Sequence, residues 1–72
     1  MNEYQLTVPH EFEAFHLSVH LIIMHIQGGS EPIFRTKETE DVTIYFIPFD
    51  EEDQLYDFDK EIRRGMPFLF QS

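Results

Sequence analysis

Apolar and polar residues alternate from Glu3 to Val8, with Tyr4, Leu6 and Val8 on one side and Glu3, Gln5 and Thr7 on the other. This period of two predicts a half-buried strand. Pro9 ends it and suits the start of a helix, where a missing N–H loses no partner. From 10 to 27 the period changes. Phe12, Phe15, Val19, Ile22, Ile23 and Ile26 recur at the three- and four-residue spacing of one helical face. Leu17, Leu21 and Met24 make a second apolar line on roughly the opposite side. A helix apolar on two sides is usually buried twice, so this second line is a candidate dimer or docking face. Gly28-Gly29 ends the helix, with one glycine free to take the left-handed conformation after the last turn.

Residues 32–37 read as a short strand, and Lys37 to Asp41 as a polar hairpin loop. Val42 to Phe49 is the clearest strand, rich in β-branched and aromatic residues. Its alternation puts Val42, Ile44 and Phe46 on one face and Tyr45, Ile47 and Phe49 on the other. Both faces are largely apolar, which predicts a central position in a sheet. Asp50 is a good helix N-cap, and the acids after it favour the positive end of a helix dipole. Leu55, Phe58 and Ile62 form the buried stripe of this second helix. Lys60, Arg63 and Arg64 suit its negative end, with Gly65 after the last turn. Met66 to Phe70 is extended and apolar and reads as a final strand, with Pro67 at its start or on an edge. The order β-α-β-β-α-β predicts an α+β fold, a small ferredoxin-like sandwich of an antiparallel sheet with two helices on one face. Other α+β connectivities stay open. The whole chain, 1–72, is one domain, and this topology alone carries no function.

Length sharpens the picture. A chain of 72 residues buries only about 60% of its unfolded surface, so its core is small. There is no cysteine, hence no disulfide and no thiolate metal site, while eight phenylalanines and three tyrosines supply bulk. Self-association is a second way to stabilise such a core. No apolar run approaches the roughly 20 residues of a membrane helix, and the N-terminus lacks the features of a signal peptide. A cytoplasmic location and no membrane partner are expected.

Charge changes the picture most. Fourteen carboxylates oppose five lysines and arginines, for a net charge of −9. Residues 38–61 hold Glu38, Glu40, Asp41, Asp50, Glu51, Glu52, Asp53, Asp57, Asp59 and Glu61 against Lys60 alone. The rest of the chain balances. One third of the sequence therefore carries the whole net charge. Such a surface repels nucleic acid and anionic membranes and attracts basic partners. The plainer reading is that acidity keeps a small domain soluble.

The candidate chemistry is sparse. His16 and His20 share a helical face at a spacing that can hold a metal. A zincin would need glutamate directly after the first histidine, and Leu17 stands there. The simpler reading makes them amphipathic residues at the border of the apolar face. No catalytic motif, cofactor or metal is expected, since the acids lie in hydrated runs and there is no phosphate loop or cysteine nucleophile. An aromatic sheet face with Tyr45 and Phe49 can stack bases in principle. Five basic residues against fourteen acids argue against direct nucleic-acid binding.

The acids remain. Asp53, Asp57 and Glu61 are four apart and line one side of the second helix at steps of about 6 Å. Capping, the dipole and the pairs Asp59 with Arg63, Asp57 with Lys60 and Glu61 with Arg64 account for several acids in that helix. The hairpin acids Glu38, Glu40 and Asp41 have no such explanation. They lie roughly 20 Å from Asp50 along the third strand. A continuous acidic band along the second helix is thus the leading expectation. It would serve a small inhibitor or regulator that offers carboxylates to a basic, nucleic-acid-binding host protein in place of a phosphate backbone. In size and composition the chain resembles small acidic proteins of viral or mobile-element origin. Tyr45, Ile47 and Phe49, if exposed, would add an apolar hot spot. The rival is an assembly protein, a homodimer included, acting through Leu17, Leu21 and Met24 with the acids only for solubility. A metal-binding or enzymatic domain using His16 and His20 is third.

Overall fold

The middle of the sheet is the strand whose two faces are both apolar. In the computed structural model, which describes residues 2–70, β1 (Asn2–Pro9) and β2 (Arg35–Glu38) flank β3 (Val42–Phe49) in the order β1-β3-β2. Both pairings are antiparallel. β1 and β2 therefore run parallel, with β3 inserted between them. β1 pairs with β3 over its whole length, from Asn2 opposite Phe49 to Pro9 opposite Val42.

That register decides which face is covered. Leu6 stands opposite Tyr45, so the inward row of β1 continues into Thr43, Tyr45, Ile47 and Phe49 of β3. Two helices cover this row. α1 (His16–Gln27) contributes Val19 and Ile23, and α2 (Glu52–Gly65) contributes Phe58 and Ile62. Leu6, Val8, Met66 and these residues form one buried cluster. The other face of the sheet is open. There Ile44, Phe46 and Pro48 are half-buried between the exposed Gln5 and Thr7 of β1 and Arg35 and Lys37 of β2. The Arg35 guanidinium lies over the Phe46 ring at 5.1 Å and reaches Glu3 at 3.0 Å.

The fold is thus a small α+β structure with a three-stranded antiparallel sheet and two helices on one face. The expected fourth strand is not formed among the described residues. Pro67–Phe70 is a 3-10 helix. Its aromatics pack on their neighbours instead of entering the sheet, Phe68 against Phe12 at 4.7 Å and Phe15 at 4.9 Å. Pro67 explains part of this, since it has no N–H to give a ladder and its fixed φ suits a helical turn. The first helix also begins later than its apolar pattern suggests. His10–Phe15 is a 3-10 segment broken at Phe12 (φ −108°, ψ 17°), and regular α-helix starts at His16.

The caps show similar small displacements. Gly28 closes α1 at φ 75°, with its N–H on the Met24 carbonyl at 2.9 Å. The N-cap of α2 is Glu51, not Asp50, because Gln54 answers it. The Gln54 Oε1 accepts from the Glu51 N–H at 2.9 Å, and the Gln54 N–H donates to the Glu51 carbonyl at 3.1 Å. Gly65 is the last residue of α2, and Met66 caps it. The second strand is Arg35–Glu38, shifted from the expected 32–37 because Ile33 is bound to α1 through Gln27.

Candidate functional site: an acidic pole around a cleft

β3 ends in Pro48-Phe49, and the chain then turns into α2 through Asp50 and Glu51. The first two turns of α2 add Glu52, Asp53 and Asp57. All five side chains are exposed. Among the described residues, none of the five has a basic group within 4.0 Å, since the ion pairs involve Glu3, Glu38, Asp59 and Glu61. Five carboxylates thus crowd one end of the molecule, held there by a strand end and a helix start.

A cleft of about 260 Å³ opens beside them, lined by Gln27, Glu31, Ile33, Pro48, Asp50 and Gln54 among others. Two glutamines frame it. Gln27 Nε2 donates to the carbonyls of Ile33 at 2.8 Å and Pro48 at 2.9 Å, while its Oε1 accepts from the Ile33 N–H at 2.9 Å. Gln54 Nε2 donates to the Ile26 carbonyl at 3.0 Å. The end of α1, the loop before β2, the end of β3 and the start of α2 are therefore fixed to one another by side-chain amides. Glu31 and Asp50 put two carboxylates at the cleft, and Ile33 and Pro48 give it an apolar wall. Two large side chains stand exposed at this end, Ile33 (64%) on the cleft and Tyr56 (66%) on α2 between Glu52 and Asp57. Sequence reasoning missed both. Tyr56 was findable, because it lies off the Leu55, Phe58 and Ile62 stripe and must point outward. Ile33 was not, because its exposure depends on the bonds to Gln27.

The hairpin acids lie elsewhere. Glu38, Glu40 and Asp41 are exposed at the opposite end of β3, about 24 Å away at roughly 3.4 Å per residue. Their loop is tied down by the His10 N–H on the Asp41 carbonyl at 3.0 Å and by Thr39 bonded to Val42. α2 runs back towards that end, since Phe68 beyond it meets Phe12 just after β1. Yet the returning half of α2 carries Lys60, Arg63 and Arg64. Arg64 takes Glu61 at 2.7 Å, and Arg63 takes both Asp59 oxygens at 3.0 Å. In the line Asp53, Asp57, Glu61 the last carboxylate is paired with Arg64, so basic groups interrupt the acidic surface along α2. At a physiological screening length of about 8 Å, charges at the two ends of β3 interact weakly.

Three further sequence candidates fall into place. Tyr45 and Phe49 are 1% and 2% exposed, and Ile47 is buried with them. None can serve as a surface contact, because the register with Leu6 turns their row under the helices. His16 and His20 line Tyr45 with ring centroids at 5.5 and 5.7 Å, and His20 Nε2 meets the Tyr45 hydroxyl at 3.0 Å. Burial, then the neighbouring His16, lowers the His20 pKa, and burial raises the Tyr45 hydroxyl to about 12. Among the described residues no cluster of three histidine or carboxylate side chains could hold a metal ion. On α1, Leu17 (69%) and Leu21 (52%) are exposed, and Met24 is half-buried. No helix among the described residues is long and apolar enough to cross a membrane.

Comparison with protein-family models, with curated proteins and with solved structures returns no match.

Proposed function

We propose that this protein is a binding module, an inhibitor or regulator, that engages a basic, nucleic-acid-binding protein through the acidic pole at the start of α2. One observation carries the reading: Asp50, Glu51, Glu52, Asp53 and Asp57 are exposed together, none of them in an ion pair among the described residues, beside a cleft with an apolar wall. Gathering like charges on one helix end opposes folding by a few tenths of a kcal/mol per helical pair. Part of that is returned by the helix dipole, which favours acids in the first turn. Asp57 lies beyond that first turn, so the dipole gives little account of it.

The division of labour follows from the chemistry. The carboxylates attract and orient a cationic surface and set the rate of association. Tyr56 and Ile33 give the buried anchors from which most affinity comes, tyrosine being among the commonest. In this role the pole occupies the site that nucleic-acid phosphates take on the partner. The hairpin cluster, about 24 Å off, is a separate patch.

The test is capture from a nuclease-treated lysate on immobilised protein, eluted in steps of salt, with two variants beside the wild type. The pole variant carries Asp50→Asn, Glu52→Gln, Asp53→Asn and Asp57→Asn. The hairpin variant carries Glu38→Gln, Glu40→Gln and Asp41→Asn. A basic protein held by the wild type and the hairpin variant, but not by the pole variant, supports the reading. Capture lost in the hairpin variant alone, or no partner that salt releases, overturns it.

A further inference from the structure

The cleft between the end of α1 and the start of α2 offers acceptors and keeps its side-chain donors for itself. Both N–H groups of the Gln27 amide go to the Ile33 and Pro48 carbonyls, and the Gln54 amide donates to the Ile26 carbonyl. Two carboxylates remain at the cleft, Glu31 from the loop after α1 and Asp50 from the turn before α2. Both are exposed, and neither is in an ion pair among the described residues. No lysine or arginine lines the cleft. Its volume is about 260 Å³. That is below the roughly 300–1,000 Å³ of sites for drug-sized ligands, and it suits one inserted side chain.

We propose that the cleft receives an arginine side chain of the basic partner, its guanidinium on Glu31 and Asp50 and its methylene stem along Ile33 and Pro48. The inference rests on the acidic pole as the end that meets this partner, and it adds Glu31, which lies outside the pole. The lining selects the occupant. A ligand here must bring donors and positive charge, which excludes anions and neutral acceptors. A guanidinium has five N–H donors in a planar fork and no acceptor, so one group serves two carboxylates. An ammonium is a compact, strongly hydrated point charge and fits this lining less well. The apolar wall matches a side chain that buries its stem and keeps its head polar. Exposed ion pairs alone contribute at most about 1 kcal/mol, so wall and carboxylates act together. The hydrogen bonds of Gln27 to Ile33 and Pro48 fix that wall before the ligand arrives, which lowers the cost of binding.

An NMR amide-shift titration of the full chain tests this, with N-acetyl-arginine amide as the stand-in for an arginine within a protein. Saturable shifts are expected around Gln27, Glu31, Ile33 and Asp50, with a Kd of about 1–10 mM at low salt. N-acetyl-lysine amide should bind more weakly. N-acetyl-citrulline amide keeps the shape without the charge and should not bind. Glu31→Gln and Asp50→Asn should each weaken the arginine probe by about three- to tenfold. Both sites are exposed, so the melting temperature of each variant should stay that of the wild type. The hairpin variant should titrate as the wild type does. No saturable shift at about 50 mM overturns the inference. So do citrulline binding as well as arginine, shifts as large at Glu38, Glu40 and Asp41, or an unchanged Kd in both cleft variants. Free arginine binding far more tightly than the capped form would make the ligand a small molecule and overturn the partner assignment. The titration needs no partner, so it stands apart from the capture experiment. A basic protein lost by the pole variant but held fully by Glu31→Gln overturns the cleft assignment and leaves the pole. The arginine probe seated in the cleft, with no partner that salt releases, overturns the pole and upholds the guanidinium site.

Discussion

The Nε2 atom of His20 lies 3.0 Å from the hydroxyl of Tyr45, and through this contact α1 is pinned to the central strand of the sheet. The His20 ring also lies against Phe34, with centroids 4.7 Å apart, and beside His16 at 6.2 Å. Burial first, and then His16, disfavours a proton on His20 and lowers its pKa below the ordinary 6.5. Above that value both the folded and the unfolded chain hold His20 neutral, and stability is full. As pH falls through about 6.5 the unfolded chain binds the proton first, so stability declines towards the lower folded pKa. Thermal melts between pH 7.5 and 5.5 should show a falling midpoint. His20→Gln should make that fall shallower, and an identical fall in the variant would contradict the assignment.

A second tie joins β1 to α2. The Tyr4 hydroxyl donates to Asp59 Oδ1, and the Tyr4 ring stands edge-on to Phe58 at 5.0 Å. Burial, then the hydrogen bond to Asp59, raises the Tyr4 pKa well above its ordinary value. Tyr4→Phe keeps the ring and removes the bond. A loss of about 1–2 kcal/mol is expected by urea unfolding, since the acceptor is charged and partly buried. Asp59 keeps Arg63, which limits the loss. In a double-mutant cycle with Asp59→Asn the two changes should not add.

Gln27 makes three hydrogen bonds across the cleft, two as donor and one as acceptor. Gln27→Ala should destabilise by about 1–2 kcal/mol. Gln27→Glu should not restore the loss, because a carboxylate cannot donate to the Ile33 and Pro48 carbonyls. Rescue by glutamate in a denaturant series would show that shape, not the amide, holds the cleft.

Thr43 is a buried polar residue of the central strand, and its Oγ1 finds no hydrogen-bond partner among the described residues. A buried hydroxyl without a hydrogen bond costs about 1–3 kcal/mol. Thr43→Val retains the shape and removes that penalty, so the variant should be as stable as the wild type or more so. A clear drop in the unfolding midpoint would mean that the hydroxyl is satisfied in solution.

The elements were legible where a single period governs them. The two apolar faces of Val42–Phe49 give a central strand, and Gly28 closes α1 as its position suggests. Which face of β3 turns inward was not legible, because Val42, Ile44 and Phe46 are as apolar as Tyr45, Ile47 and Phe49. The choice is made by pairing Leu6 with Tyr45, and register is a long-range relation that a local period does not contain. The run at 66–70 was ambiguous for another reason, since a short apolar stretch fits a strand or a helical turn equally well. Pro67 and the stacking of Phe68 on Phe12 decide it. The acids themselves were plain in the sequence. That they form a pole and a separate hairpin patch depends on α2 returning with Lys60, Arg63 and Arg64 in its far half, and on Glu61 pairing with Arg64.

The most direct measurement is the affinity of the captured basic protein for the wild type, the pole variant and the hairpin variant, at low and at physiological salt. If the pole is the binding site, neutralising it weakens binding by more than about tenfold and flattens the salt dependence. At physiological salt the hairpin variant then binds within about twofold of the wild type, since about 24 Å is some three screening lengths there. A pole variant that binds as tightly as the wild type, with the same dependence on salt, would contradict the assignment of function to the start of α2.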